Sequence, residues 1–439
     1  MSDVRSDKYI WISAIIGMAL ICAGVAIRPV MYVAAVAAVA IVIFAPKTVV
    51  ILLLFSWLSF STVFKFSVGA TSIFTYLELL FAIRLIVQNH KMHAGFFFSW
   101  CLYAAYLLFG MGSEYTTFLK VALMPLLFYL MARETDYSDL SKIIKFYVLG
   151  VVVSSFVGYF KSYIPNMSTF VNDKAVNLAY TGTGFISSAR ITGLWGDPNY
   201  YSIHLILAIM LVAVLYSRKE LSIVPFYSVY IICTLFGALT GSKSFILMLV
   251  IATFLIIVQL WGKHNFKQLL LFVLVMVAGL FLIISGYIDA FSMIMSRLSS
   301  VDFSSTSSIT TDRTLKWAEY INEFNRNFGK LLVGNGIGKG FSFAVPHNSY
   351  LDYLDLLGLI GTGVFLVCMV QAAKCGWKIQ RERGRIGNVS PLLILLGMYA
   401  FLSMFYSIDL LFELFAAIGI FVLMPIKETS SAPINIAEV

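Results

Sequence analysis

Long apolar runs recur along nearly the whole chain, and they restrict its fold more than any other feature of the sequence. The run LLLFVLVMVAGLFLII at residues 269–284 is one example. A helix needs about 20 predominantly apolar residues to cross a bilayer. Apolar residues make up 60% of the 439 residues and charged residues 12%, whereas soluble domains carry about 25% charged residues. The sequence therefore predicts an all-α polytopic membrane protein.

The apolar runs predict about fourteen transmembrane helices, and we expect the first to be a retained anchor rather than a removed signal peptide. They lie near residues 9–27, 30–45, 48–66, 71–88, 95–111, 115–131, 142–163, 198–216, 222–240, 244–262, 267–287, 347–373, 390–408 and 410–426. The resulting segments are the helical regions 1–163 (about seven helices), 198–287 (four helices) and 347–426, the hydrophilic loops 164–197 and 288–346, and the tail 427–439.

Basic residues concentrate in the loops that would share one side of the membrane with the N-terminus. The densest run is formed by Lys374, Lys378, Arg381, Arg383 and Arg385. Because cytoplasmic loops carry an excess of lysine and arginine, we expect both termini to be cytoplasmic and both long loops to lie on the outer face. The formal net charge of +9 is then mainly a signal of topology, and it does not indicate a nucleic-acid partner.

The second long loop contains the pattern of an amphipathic helix. After Thr311-Asp312, the segment RTLKWAEYINEFNRNF places Trp317, Ile321, Phe324 and Phe328 on one stripe at helical spacing. Two interpretations are compatible: a lid on the membrane surface, and a helix that presents Arg313 and Lys316 to a ligand. The glycines of the following GNGIG are predicted to form a turn rather than a phosphate loop, because no strand precedes them.

Three helices are predicted to begin at the outer face with unusual polar sequence. Asp197 is expected to cap the first, with Pro198 as its first residue, and TGSKS and VPHNS lead into the other two. Helix N-termini attract anions through unsatisfied N–H groups and a partial positive charge. The nearby basic residues are Arg190, Lys243, Arg313, Arg297 and Lys316. Together they predict an anion site at headgroup depth; alternatively, they anchor helix ends or contact lipid phosphates.

Other polar residues in the apolar runs are compatible with more than one role. Asp352 and Asp355 lie on the helix that follows His347, where they either orient the imidazole or a sugar, or pair with a neighbouring helix. Gly358, Gly361 and Gly363 are expected at close helix contacts. The histidines, cysteines and carboxylates show no metal-ligand spacing, so we expect no metal and no other cofactor.

The order of these motifs resembles the superfamily of O-antigen ligases and Wzy-type O-antigen polymerases. The matching stretches are ARITGLWGDPNYYS, TGSKS, TDRTLKWAEY, GNGIG and HNSYLDYLDLLGLIGTG, which together cover roughly residues 185–370. The N-terminal half resembles the family only as a helical bundle. The resemblance implies a GT-C-like glycosyltransferase in the bacterial inner membrane, with its active site facing the periplasm.

The resemblance also implies roles for individual residues. His347 is expected to be the catalytic residue, with Arg190 and Arg313 holding the diphosphate, while Lys243 stands where the family commonly has arginine. The residues expected to support them are Asn199, Arg297, Lys316, Asn348, Asp352 and Asp355. The implied donor is a glycan on undecaprenyl diphosphate, and the acceptor is a glycolipid; a chain-length regulator protein is a further implied partner.

Three functions remain open at this level. A polymerase transfers the growing glycan to another lipid-linked repeat unit, whereas a ligase transfers it to lipid A–core. A polysaccharide-lipid flippase or transporter would carry a similar number of helices, but it should place its charges near the midplane on broken helices and often shows repeated halves. Because the polar residues concentrate in the two long loops and no repeat is evident, the sequence favours the enzyme. Polymerase is placed ahead of ligase because polymerases are the more numerous and divergent branch of the superfamily that the sequence resembles, and no residue distinguishes the two.

Overall fold

The computed structural model describes residues 2–88, 92–110, 115–134, 137–171, 190–217, 219–262, 266–284, 313–337 and 348–382. Within these residues every regular element is a helix. The α-helices are α1 (Ser2–Ala26), α2 (Arg28–Phe44), α3 (Lys47–Trp57), α4 (Ile73–Gln88), α5 (Ala94–Gly110), α6 (Tyr115–Glu134), α7 (Tyr137–Tyr159), α8 (Met167–Val171), α9 (Pro198–Ser217), α10 (Ile223–Leu239), α11 (Lys243–Gly262), α12 (Phe266–Ile284), α13 (Arg313–Arg326), α14 (Phe328–Val333) and α15 (Ser349–Glu382).

Four stretches of helix in the described part of the chain are long and apolar enough to cross a membrane. They are Lys8–Ala26, Asp139–Tyr159, Pro198–Tyr216 and Ser349–Ala372, and six shorter apolar helices accompany them. The first twelve predicted segments each fall on a helix, while 390–408 and 410–426 lie outside the described residues. The helical membrane class is therefore supported, whereas the count of fourteen spans and their orientation stay predictions.

Two predicted segments differ from the structure in their extent. The helix expected at 48–66 ends as α3 at Trp57 and continues only as a 3₁₀ turn, Leu58–Phe60. Beyond it, the hydroxyl of Ser72 donates to the carbonyls of Ser61 and Phe64 and ties the following turn together. At the other end of the chain, the helix expected at 347–373 extends to Glu382 and is interrupted at Gly358.

The described helices belong to two compact units. The first contains described residues of 1–81 and 141–315. Its central helix is α9, which is almost entirely buried and packs against α10 and α11. In the same unit α1 and α2 form a hairpin against α3, where the Trp57 indole donates to the carbonyl of Ala14 at 3.2 Å.

The second unit contains described residues of 82–140 and 316–439. Its central helix is α15, which packs against α5, α6 and the short α14. Tyr353 and Phe365 stack at 4.8 Å on one side of α15, and Tyr103 lies against Phe365. The polar face of α15 carries Asp352 and Asp355, both buried.

Helix α13 begins at Arg313 as the sequence predicts, and Phe324 of the predicted apolar stripe is buried. Ile321 and Phe328 are 53% and 63% exposed, as apolar side chains on a membrane surface would also be. Tyr320, which lies outside the predicted stripe, is buried as well, because a tyrosine can pack its ring and still offer a hydroxyl to a polar neighbour. The lid and the ligand-presenting helix both stay predictions.

Candidate functional site

A buried loop at residues 190–197 precedes α9 in the first unit. The amide of Ile191 donates to the carbonyl of Leu239 at 3.1 Å, and the hydroxyl of Thr62 donates to the carbonyl of Leu194. Gly193 has a φ of +57°, and a Cβ there would meet the ring of Tyr201. Non-helical backbone is tolerated inside a membrane protein when other protein groups bind it. The motif ITGLWGDPN thus forms a fixed loop that positions the residues on either side of it.

Arg190 begins this loop and bridges two helices. Its Nε donates to the carbonyl of Thr240 at 2.7 Å, which lies just after the last residue of α10. Its Nη2 lies 3.4 Å from Oδ1 of Asn199 in the first turn of α9. These contacts fix the plane of the guanidinium. They also support a structural role, because a cation at the C-terminus of a helix stabilises the last carbonyls.

Asn199 and two serines connect the beginnings of α9 and α11. The hydroxyl of Ser242 donates to Oδ1 of Asn199 at 2.9 Å and lies 2.8 Å from the hydroxyl of Ser244. Ser242 is buried, while Asn199 is half-buried. Lys243, the first residue of α11, follows Ser242 directly and is half-buried as well. The structure therefore brings Arg190, Asn199 and the start of α11 together, as the sequence predicts for a basic site.

Side chains cap the N-termini of the three helices and accept hydrogen bonds from some of the N–H groups that an anion is predicted to use. Oδ1 of Asp197 accepts from the amides of Asn199 (2.7 Å) and Tyr200 (3.4 Å). Pro198 has no N–H, so the first turn of α9 is fully used. At α11 Ser242 accepts from the amide of Phe245 at 3.4 Å. An anion at the start of α9 would therefore have to bind side chains.

Asn348 likewise caps α15. Its Oδ1 accepts from the amides of Tyr350 at 3.0 Å and Leu351 at 3.3 Å. Asn348 is buried and lies directly after His347. The predicted supporting role of Asn348 is thus accompanied by a definite structural one.

The carbonyls before a break in α15 at Gly358 contact the GNGIG motif, which lies in the same unit. Gly358 has a φ of 62° and a ψ of −174°, which no helix contains. The carbonyl of Asp355 accepts from the amide of Asn335 at 2.6 Å, and the carbonyl of Leu356 accepts from the amide of Gly336 at 3.1 Å. The carbonyl of Leu357 accepts from the hydroxyl of Tyr106 at 2.8 Å. The three carbonyls before the break are therefore all bound by protein.

The glycines around this break have three different environments. Gly334 and Gly336 adopt a φ of +80° and +85°, which confirms the predicted glycine turn. Gly361 packs against the ring of Tyr106, as expected for a close helix contact. Gly358 also lies at a close contact, with the backbone of Leu332 in α14 and of Gly334, whereas no described residue lies within 4 Å of the position of a Cβ at Gly363.

Asp352 and Asp355 face the loop helix α13 rather than lipid. Oδ1 of Asp355 accepts from the side-chain amide of Asn335 at 2.5 Å. Burial, together with the charges of Asp355 and Asp352, raises the pKa of the Tyr320 phenol well above its ordinary value. Both carboxylates therefore lie close enough to Tyr320 for their charges to oppose its ionisation. Asp355 pairs with Asn335 in the loop after α14, and the two roles inferred for the aspartates from the sequence stay predictions.

The described part of the structure does not include the side chains of three predicted site residues. His347 and Arg297 lie outside the described residues, and only the backbone of Arg313 is described, at the start of α13. Lys316 lies one turn into α13 and is half-buried. Arg190, Asn199 and Lys243 fall in the first unit, whereas Asn348, Asp352 and Asp355 fall in the second.

Sequence reasoning missed a buried histidine beneath the loop. The ring of His204 stacks on Trp195 with centroids 3.8 Å apart, and its Nδ1 lies 2.8 Å from the hydroxyl of Tyr147. All three side chains are buried. The only signal in the sequence was a histidine inside the apolar run of α9, since intramembrane polar residues usually have a specific partner. Its position indicates that it supports the loop.

These features define a helical, membrane-embedded protein with a basic cluster where α9 and α11 begin and an acidic cluster on a broken helix. The chain matches no protein-family model, no curated protein and no solved structure. Among the described residues, no three histidine, cysteine, aspartate or glutamate side chains lie together as a metal site would require.

Proposed function

We propose that this protein is a metal-independent membrane glycosyltransferase that polymerises oligosaccharide repeat units carried on undecaprenyl diphosphate at the periplasmic face of the inner membrane. One observation carries the proposal most directly. Arg190, Asn199 and the capped start of α11 lie in one hydrogen-bonded cluster, and the sequence motifs that resemble the polymerase and ligase superfamily supply these same residues. A cluster of fixed donors is suited to a strongly anionic group.

The proposed reaction is the attack of an acceptor hydroxyl on the anomeric carbon of the donor. The new C–O bond forms as the bond to the diphosphate breaks, and the diphosphate leaves with the bonding electrons. Arg190, Lys243 and Arg313 would neutralise that charge, which fixed cations achieve without a metal. His347 would take the proton of the hydroxyl, because the ordinary imidazole pKa lies near neutral pH.

Two other functions are distinguished by their products. A ligase would use the same donor and transfer the glycan to lipid A–core. A transporter is favoured by one observation, the break in α15 beside two buried aspartates, since discontinuous helices hold ions in many transporters. Here, however, the carbonyls that the break leaves without helical partners are bound by Asn335, Gly336 and Tyr106, which favours a structural break.

The test is transfer by the full-length protein in nanodiscs, supplied with defined undecaprenyl-diphosphate-linked repeat units in excess chelator, with and without lipid A–core. Under multiple turnovers we expect glycans of increasing length in both conditions, and single-turnover reactions give the rate of one transfer. His347→Ala should slow transfer by about 10²–10⁴-fold, the usual contribution of general acid–base catalysis, while donor binding is kept. Arg190→Ala should weaken donor binding by about 1.5–3 kcal/mol, the value of a charge-assisted hydrogen bond.

Arg326→Ala serves as the matched control, because Arg326 is an exposed arginine at the end of α13. Product only on lipid A–core would make the protein a ligase. Absence of any transfer by the wild type in nanodiscs, together with movement of the lipid-linked glycan across the bilayer of sealed proteoliposomes, would establish the transporter instead. Loss of donor binding in His347→Ala, with an unchanged rate at saturation, would assign His347 to the diphosphate and leave the base to be found.

A further inference from the structure

The orientation of the Asn199 side chain follows from its two neighbours. A guanidinium has only N–H donors, so the atom of Asn199 that faces Nη2 of Arg190 has to be the amide oxygen. Ser242 contacts the same oxygen at 2.9 Å. A rotated amide would place an NH₂ group against the guanidinium, which is repulsive. Oδ1 therefore accepts two hydrogen bonds, and the amide nitrogen Nδ2 has to point elsewhere.

Nδ2 of Asn199 is left as a fixed donor at the surface of this cluster. None of the residues that the structure describes accepts a hydrogen bond from it. Asn199 is only half-buried, and Nδ2 is not among the fully buried atoms that lack a partner. The backbone amides of the same turn are occupied by Asp197. The side chain of Asn199 is thus the donor that the first turn of α9 can offer to a ligand.

We propose that Asn199 binds the donor directly, through a hydrogen bond from Nδ2 to an oxygen of its diphosphate, beside the guanidinium of Arg190. This inference rests on the proposed function and identifies the atom that donates a hydrogen bond to the anion. Ser242 acts as a positioning residue, because its hydroxyl holds Oδ1 and thereby orients Nδ2. The recognised group is a phosphate oxygen, which accepts hydrogen bonds and donates none.

Asn199→Asp separates binding from structure. The carboxylate has the same shape as the amide and keeps an acceptor for both Arg190 and Ser242, so the cluster should remain assembled. It replaces the Nδ2 donor by a negatively charged oxygen, which repels phosphate. The added charge also weakens anion binding without contact, so Ser244→Asp, which adds the same charge beside the cluster and leaves Nδ2 in place, measures that electrostatic effect alone. If Asn199 serves only to hold its two neighbours, the two aspartate variants should weaken binding equally; if Nδ2 binds the anion, Asn199→Asp should weaken it more.

The experiment measures the affinity of the full-length protein, in nanodiscs of neutral lipid, for undecaprenyl diphosphate and for inorganic pyrophosphate. We expect Asn199→Asp to weaken both affinities by about 10–100-fold, as for the loss of one charge-assisted hydrogen bond, without lowering the thermal midpoint. Ser242→Ala should weaken binding less. The control is Asn325→Asp, the same change at an exposed position of α13, which should leave binding unchanged.

The outcomes separate this inference from the proposed function. Wild-type affinity for undecaprenyl diphosphate with an unaffected Asn199→Asp variant would overturn the role of Nδ2 alone. A wild-type protein that binds neither probe would overturn the proposed diphosphate site and this inference with it. A third outcome is that the wild type binds pyrophosphate but not the lipid, and that Asn199→Asp loses the binding of pyrophosphate. This result would support the role of Nδ2 but assign the site to a soluble anion.

Discussion

The beginnings of α9 and α11 differ from the break in α15 in how their backbone groups find hydrogen-bond partners. A membrane protein has to bind every buried backbone N–H and C=O group internally. In the first unit, side chains do this: Asp197 and Ser242 cap intact helices. In the second unit, the α15 carbonyls before Gly358 are bound largely by the backbone of the loop at Asn335 and Gly336.

The difference predicts how each region responds to substitution. A side-chain cap can be exchanged for another side chain of similar chemistry, so the first region should tolerate conservative changes. A junction of two backbones leaves no room for a Cβ, so the second should tolerate very little. Function is expected to divide in the same way, with ligand binding adjustable at the basic cluster and folding dependent on the glycine junction.

The largest effect is expected for Gly358→Ala. An alanine would require a left-handed φ, and its Cβ would lie 2.4 Å from the carbonyl oxygen of Leu332. Backbone strain and overpacking together should cost about 3 kcal/mol or more. The measurement is the yield of monodisperse protein and its thermal midpoint in detergent. Gly363→Ala in the same helix meets none of the described residues within 4 Å and should be tolerated; equal losses in the two variants would remove the distinction between them.

An intermediate effect is expected at Asp197. Asp197→Ala removes the cap of α9 and should destabilise the protein by about 0.5–2 kcal/mol, measured as the fall in thermal midpoint. Asp197→Asn should restore most of this loss, because asparagine caps helices about as well. The asparagine variant also removes a negative charge beside the basic cluster, so its affinity for undecaprenyl diphosphate should rise. A cap that asparagine fails to restore would mean that the charge itself holds the loop.

The smallest effect concerns the phenol of Tyr320. Its pKa is raised from 10.0 in the folded protein, so the neutral phenol is favoured by folding. This contribution to stability is fully present below pH 10 and is lost as the pH rises through the raised value. The ultraviolet difference titration of wild type minus Tyr320→Phe should therefore show a phenol that ionises above pH 10 in the folded state. A phenol that ionises at its ordinary pKa would separate Tyr320 from Asp355 and Asp352.

Local signals in the sequence were sufficient where the deciding contacts are close along the chain. Asp197 followed by Pro198 predicted the start of α9, and GNGIG predicted a glycine turn, because caps and turns are made by neighbouring residues. The start of α13 at Arg313 was predicted for the same reason. Lengths of apolar runs located the first twelve predicted segments on helices, since a helix satisfies its own backbone.

Contacts between distant segments decided the rest. The sequence by itself determined the helical membrane class and the positions of several caps and turns. Only the tertiary structure decided that Tyr320 rather than Ile321 is buried, because the polar face of α15 lies there. It also decided that Gly358 breaks a helix and that Asn199 turns its oxygen toward Arg190 and Ser242. Each of these features depends on contacts with residues 9 to 43 positions away or on another helix. An amphipathic pattern reflects only the spacing of apolar residues within one helix, so it does not identify such contacts.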